Sequence, residues 1–194
     1  MRITFQKSDV TNVLSQIQGL AGRKTSLAIT ENVLIQTGDG GIHLTATDLE
    51  TGFEGFFPAK VKADGAIAVN ARKFYEIVRN FPTEAVDLDE LENNWIEISG
   101  NSVEYHIVSM DPDEFPDTPK IDQVDFFTVE SADLKKMIEK TVAVGVTGEE
   151  KRAHMIGVNL ERIENAEGKL LRMVSTDIKR LAKVDCRLDP EAGF

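Results

Sequence analysis

The apolar positions change period several times along the chain, and each change marks an element. Ile3-Thr4-Phe5 gives a short strand signal, after which Val10, Val13, Leu14, Ile17 and Leu20 recur at helical spacing. That one-sided stripe predicts an amphipathic helix, opened by Ser8 or Asp9 and stopped at Ala21-Gly22. Strands are predicted next over 27–36, 42–49 and 53–60, the first two joined as a hairpin through Thr37-Gly38-Asp39-Gly40-Gly41. The glycines do not read as a phosphate cradle, because such a loop leads from a strand into a helix and this one leads into another strand.

The same order then returns. A strand over 66–70 runs into Asn70, a helix cap, and Phe74, Ile77, Val78 and Phe81 share one face of the helix that Pro82 ends. Strands are predicted over 85–88, 95–99 and 102–109. Strand, helix and three strands have thus been written twice with a period of about sixty residues, a sign of repeat architecture. Residues 111–119 break the periodicity with prolines and aspartates and read as a linker. Asp111 and Asp113 have calcium-loop spacing, but Pro116 sits mid-loop and the twelfth position is not glutamate.

A third unit opens with a strand at Phe126-Phe127-Thr128-Val129, then a helix capped by Ser131 and carrying Leu134, Met137, Ile138 and Val142. A strand over 155–162 and a hairpin at 165–168 lead into Leu171, Met173 and Ser175, which alternate with Arg172 and Val174. Thr176-Asp177-Ile178 then stands where Thr47-Asp48-Leu49 stood earlier. Units that should come in pairs number three, which predicts a fragment: one complete domain over 1–122 and the first half of another over 123–194.

Composition narrows the class. A chain of 194 residues with 41% hydrophobic and 28% charged residues is expected to be a soluble globular protein. No run of 18 apolar residues is present and the N-terminus lacks a signal core, so neither a membrane span nor export is expected. A single cysteine, Cys186, rules out an internal disulfide and fits a reducing cytoplasm. The net charge of −11 argues against a polyanionic partner, yet the three helical windows, 7–24, 70–82 and 131–152, sum to +2, +2 and +1. Collected on one face, they would be the place a polyanion is welcome.

Catalytic signals are poor. His43, His106 and His154 read as solvated strand positions, no serine sits in a nucleophile motif, and zinc-motif spacing is missing, so no cofactor and no metal are expected. Asp48 and Asp177 could serve a metal-dependent phosphoesterase, but a carboxylate after threonine at a strand end more often closes a turn.

Four motifs in register carry a resemblance that spans the chain: Leu44-Thr45-Ala46-Thr47-Asp48-Leu49-Glu50; Ala71-Arg72-Lys73-Phe74 with Ile77-Val78-Arg79; Glu114-Phe115-Pro116; and Val174-Ser175-Thr176-Asp177 with Arg180-Leu181-Ala182. Together they resemble the N-terminal portion of the bacterial DNA polymerase III beta subunit, the replicative sliding clamp. The resemblance implies an α+β clamp fold of repeated β-α-β-β-β units, helices on one face and antiparallel sheets on the other. It implies a non-catalytic homodimeric ring that encircles double-stranded DNA and tethers the replicative polymerase, with a clamp loader as a further partner. The third clamp domain would be missing from this chain. By that resemblance Arg23, Lys24, Arg72, Lys151 and Arg152 would meet DNA. Met155, Thr176, Ile178, Lys179, Arg180 and Leu181 would line a pocket for partner peptides, with Ile178 in place of a usual glycine and Lys179 in place of a usual histidine. Lys73, Tyr105 and Ile107 would lie at the subunit interface, an edge for strand addition.

Overall fold

The computed structural model of the chain describes residues 1–21, 28–117, 127–144, 156–165 and 168–188. The chain divides into two compact units, Met1–Lys120 and Ile121–Phe194.

The first unit is built from two copies of one pattern. β1 (Arg2–Gln6), α1 (Lys7–Ala21), β2 (Asn32–Gly38), β3 (Gly41–Thr47) and β4 (Gly52–Ala63) form the first copy. β5 (Ala66–Asn70), α2 (Ala71–Asn80), β6 (Ala85–Glu90), β7 (Trp95–Gly100) and β8 (Val103–Met110) form the second. The strands close in the ring β1-β4-β3-β2-β5-β8-β7-β6. Advancing every strand by four positions reproduces the same ring, so the copies are related by a pseudo-two-fold. Closure depends on distant pairs: Ile3 opposite Leu88 between β1 and β6, and Ile35 opposite Ile67 between β2 and β5.

Both helices pack on one core. Val10, Leu14 and Ile17 of α1 and Phe74 and Val78 of α2 are buried with Ile3, Phe5, Ile42, Leu44, Ile67, Ile96 and Ile98 from the strands. α1 and α2 also pack against each other. Burial of this apolar area at about 25 cal/mol per Å² holds the helices to the sheet.

Local chemistry sets the element ends. Asp39 (φ 51°) and Gly40 (φ 79°) adopt the left-handed pair that a two-residue hairpin requires. Asn70 caps α2, its side chain accepting from the Lys73 N–H at 3.1 Å. α1 begins at Lys7 rather than after a Ser8 or Asp9 cap, because its first donors are met from far along the chain. The Lys7 N–H donates to the Glu84 carbonyl at 2.7 Å and the Ser8 N–H to Glu84 Oε1 at 2.6 Å. The bonds from Ser8 hold the Glu84 carboxyl below the usual glutamate range. Lys7 Nζ donates to the Phe81 carbonyl at 2.8 Å, placing a cation at the C-terminal end of α2.

Two further expectations for this unit need correction. Residues 28–31 form a 3₁₀ turn, not the start of a strand, because the buried Asn32 amide donates back to the Ile29 carbonyl at 3.0 Å. Residues 111–115 are anchored rather than a free linker. Asp111 accepts from the Asp113 N–H at 2.9 Å, and Phe115 is buried with Ile29, Leu34 and Ala68 on the back of the sheet.

The second unit holds α3 (Ser131–Val142), β9 (Asn159–Asn165), β10 (Gly168–Thr176) and β11 (Leu181–Arg187), with sheet order β11-β10-β9. Met137, Leu171, Met173 and Leu188 form its core. Ser175 Oγ donates to the Thr141 carbonyl at 2.5 Å, stitching β10 to the end of α3. Arg172 of β10 forms a two-pronged bond to Asp185 directly across on β11, at 2.7 and 2.9 Å. The expected strand at 126–129 is irregular where described, over 127–130. Glu130, not Ser131, is the cap residue of α3, and its side chain makes no capping bond. β9 starts at Asn159, later than the pattern predicts.

Candidate functional site

Among the described residues of the first unit's two helices, the exposed cations lie on α2. Its apolar positions turn Phe74 and Val78 inward, which leaves Arg72, Lys73 and Arg79 exposed. Arg72 Nε lies 3.1 Å from Glu76 Oε1 one turn on, and the Arg79 guanidinium stands over the Tyr75 ring at 5.9 Å. Between the two helices runs a groove of about 680 Å³ whose lining includes Ser15, Gln18 and Gly19 of α1 and Arg72, Tyr75 and Arg79 of α2. A Cβ added at Gly19 would meet nothing within 4 Å, so the groove stays open there. Arg79 and Tyr75 went unassigned in the sequence, although the i, i+4 spacing that stacks them was readable. Lys7, by contrast, is committed to the Phe81 carbonyl. Arg23, Lys24, Lys151, Arg152 and Met155 lie outside the described residues.

Thr176, Ile178, Lys179, Arg180 and Leu181 come together in the turn from β10 to β11. Thr176 Oγ1 accepts from the Ile178 N–H at 3.1 Å, and Asp177 Oδ1 accepts from the N–H groups of Lys179 and Arg180 at 3.1 and 2.9 Å. Partial desolvation pushes the Asp177 carboxyl up, but the bonds from Arg180 and Lys179 outweigh it and hold it below the usual range. Arg180 Nη2 reaches the Ala143 carbonyl at 3.4 Å, tying the turn to the end of α3. Ile178 and Leu181 are each 62% exposed, an apolar pair beside a cation.

The turn at Thr47 is built the same way. Thr47 Oγ1 accepts from the Leu49 N–H at 3.0 Å, and Asp48 Oδ1 accepts from the N–H groups of Glu50 and Thr51 at 3.1 and 2.7 Å. Both carboxylates are therefore engaged in turn closure, each in its own unit, and the phosphoesterase reading loses its two acids.

At the far edge, β8 pairs with β7 over Val103–Val108 and meets β5 only at Ser109 and Met110. One side of its first six residues is thus an open ladder among the described residues. Tyr105 is 40% exposed and tilts against Phe81 at 6.1 Å, while Ile107 packs on the core and Lys73 stands exposed on α2.

Paired repeats, a shared helix layer and antiparallel sheets define the fold of the sliding clamps. The crystal structure of the DNA polymerase sliding clamp from Bacillus subtilis matches with a TM-score of 0.88 and 26% identity, over 97% of this chain and 50% of that one. Residues 1–119 match the family model of the DNA polymerase III beta subunit, N-terminal domain, and the chain belongs to that family. The beta sliding clamp of Chlamydia pneumoniae is 28% identical over 194 residues, which are 100% of this chain and 52% of that protein. The beta sliding clamp of Salmonella typhimurium is 30% identical over 195 residues, covering 100% of this chain and 51% of that protein. The chain spans about half the length of the curated relatives it matches. Among the described residues, no helix is long and apolar enough to cross a membrane.

Proposed function

We propose that this chain is a non-catalytic DNA-tethering element of a replicative sliding clamp, with 1–122 acting as a complete clamp domain and 123–194 as the first half of a second. The observation that carries this reading is the helix layer. α1 and α2 lie side by side on one core, and the exposed face of α2 presents Arg72, Lys73 and Arg79. Acids gather on the strands β6–β8, with Asp87 and Asp89 on β6, Glu97 on β7 and Glu104 on β8, whereas α2 holds Glu76 alone against its three cations.

The physics of tethering suits such an arrangement. A ring that holds DNA topologically needs only weak phosphate contacts, since strong ones would stop it sliding. A polymerase bound to the ring then stays near the primer end through effective concentration. The turn at Ile178 and Leu181, with Met155, Thr176, Lys179 and Arg180, receives the peptides of the polymerase and clamp loader. Arg23, Lys24, Lys151 and Arg152 join Arg72 at the DNA. Lys73, Tyr105 and Ile107 mark the edge where β8 adds a strand from another subunit, supported by the open ladder of β8.

Fluorescence anisotropy with a labelled DNA duplex at low salt tests the reading. Weak binding that falls steeply as salt rises is expected, and it should drop further in the Arg72→Glu/Arg79→Glu variant. Binding unchanged by both reversals would refute the assignment of the helix layer.

A further inference from the structure

The β7–β8 hairpin brings together three side chains to which the clamp reading gives no ligand. Glu97 lies directly opposite His106 in the ladder, and Glu104 precedes His106 by two residues on the same face of β8. His106 Nε2 is 3.1 Å from Glu104 Oε1 and 3.6 Å from Glu97 Oε2. One ligand atom from each residue lies within 4.8 Å of the other two. A tetrahedral ion with bonds of 2.0–2.1 Å spaces its ligand atoms about 3.3 Å apart, so two of the three separations already bracket that value.

We propose that Glu97, Glu104 and His106 form a surface site for a divalent transition ion of the zinc class, one that ties β7 to the edge strand β8. The donor set points to that class. An imidazole nitrogen suits zinc, nickel and cobalt, whereas magnesium and calcium take oxygen ligands. Two carboxylates balance the ion's charge, and the exposure of Glu104 and His106 leaves further positions to water. The competing arrangement is a protonated His106 held between two glutamates with no ion, and the same experiment separates them.

The chain carries its own reporter. Its single tryptophan, Trp95, stands edge-on to His106 with ring centroids 6.4 Å apart. Ni²⁺ titrated into untagged protein carrying Cys186→Ser, which removes the thiol as a rival ligand, is expected to quench Trp95 saturably at one ion per chain. Zn²⁺ should displace it. His106→Gln is expected to raise the midpoint about tenfold or more, Glu104→Gln to shift it in the same direction, and His43→Gln to leave it unchanged. Zn²⁺ should also raise the thermal midpoint of the parent and not of His106→Gln, whose surface position lets it fold. No saturable quenching, or equal quenching in His106→Gln, would overturn the proposal in favour of the ion pair.

Discussion

α1 and α3 carry apolar residues at the same helical spacing, yet they are buried to very different depths. In α1, Val10, Leu14, Ile17 and Ala21 are all buried, because the helix meets both the sheet and α2. In α3, Met137 and Thr141 are buried while Ile138 and Val142 remain 43% and 58% exposed. α3 packs on β10 and β11, and among the described residues its unit holds no second helix. Periodicity therefore states which face of a helix is apolar. What lies opposite decides how much stability that face contributes.

Truncation at the eighth residue of each helix, Leu14 of α1 and Ile138 of α3, gives the largest contrast. Leu14→Ala, at a site with 0% exposure, is expected to destabilise the first unit by about 3 kcal/mol. Denaturant unfolding followed by Trp95, which sits in that unit, measures it. Ile138→Ala should change the second unit by no more than about 0.5 kcal/mol, read by hydrogen exchange in β10. Equal losses at the two sites would mean that α3 is as fully packed as α1.

The two threonine–aspartate turns give a finer contrast. Leu49 has φ 75° and Ile178 has φ 74°, so each repeat places a side chain in the left-handed region. A β-branched residue tolerates that region least, so Ile178 sits there under backbone strain that glycine would not meet. Ile178→Gly is expected to stabilise its unit by up to about 1 kcal/mol, and Leu49→Gly by less. A loss of stability in Ile178→Gly would show that its exposed side chain packs on something.

The smallest expected effect is electrostatic. Glu84 and Asp87 both titrate below their usual ranges, Glu84 through the bonds from Ser8 and Asp87 chiefly through the Thr4 hydroxyl, with Lys62 adding to it. A depressed folded-state pKa stabilises above the unfolded value, and that stability is lost as pH falls through the folded value. The first unit should therefore weaken below about pH 4. Glu84→Gln should flatten part of that acid limb and loosen the start of α1. An unchanged limb would mean that the cap contributes nothing to folding.

What the sequence made legible follows from range. The doubled strand-helix-strand order, the Asn70 cap and the hairpin at Asp39-Gly40 depend on neighbours, so they could be read directly. Ring closure depends on Ile3 meeting Leu88, and the start of α1 on Glu84, contacts that no local pattern announces. The overlong strand at 27–36 failed because an apolar run has no period to separate a 3₁₀ turn from a strand. For the proposed site, Arg72 and the turn at 176–181 come from the family resemblance of their motifs, and the structure adds that Arg72 is exposed on α2 and that 176–181 close one turn. The grouping of Glu97 with His106 needed the hairpin register.

The central claim is that the exposed faces of α1 and α2 are the surface that meets duplex DNA. Amide chemical-shift mapping of the ¹⁵N-labelled chain with a short duplex at low salt tests it most directly. Shifts are expected to gather at Ser15, Gln18, Gly19, Arg72 and Arg79 and to vanish as salt rises. Shifts confined to the acidic strands β6–β8, or scattered without regard to the helix layer, would contradict the account.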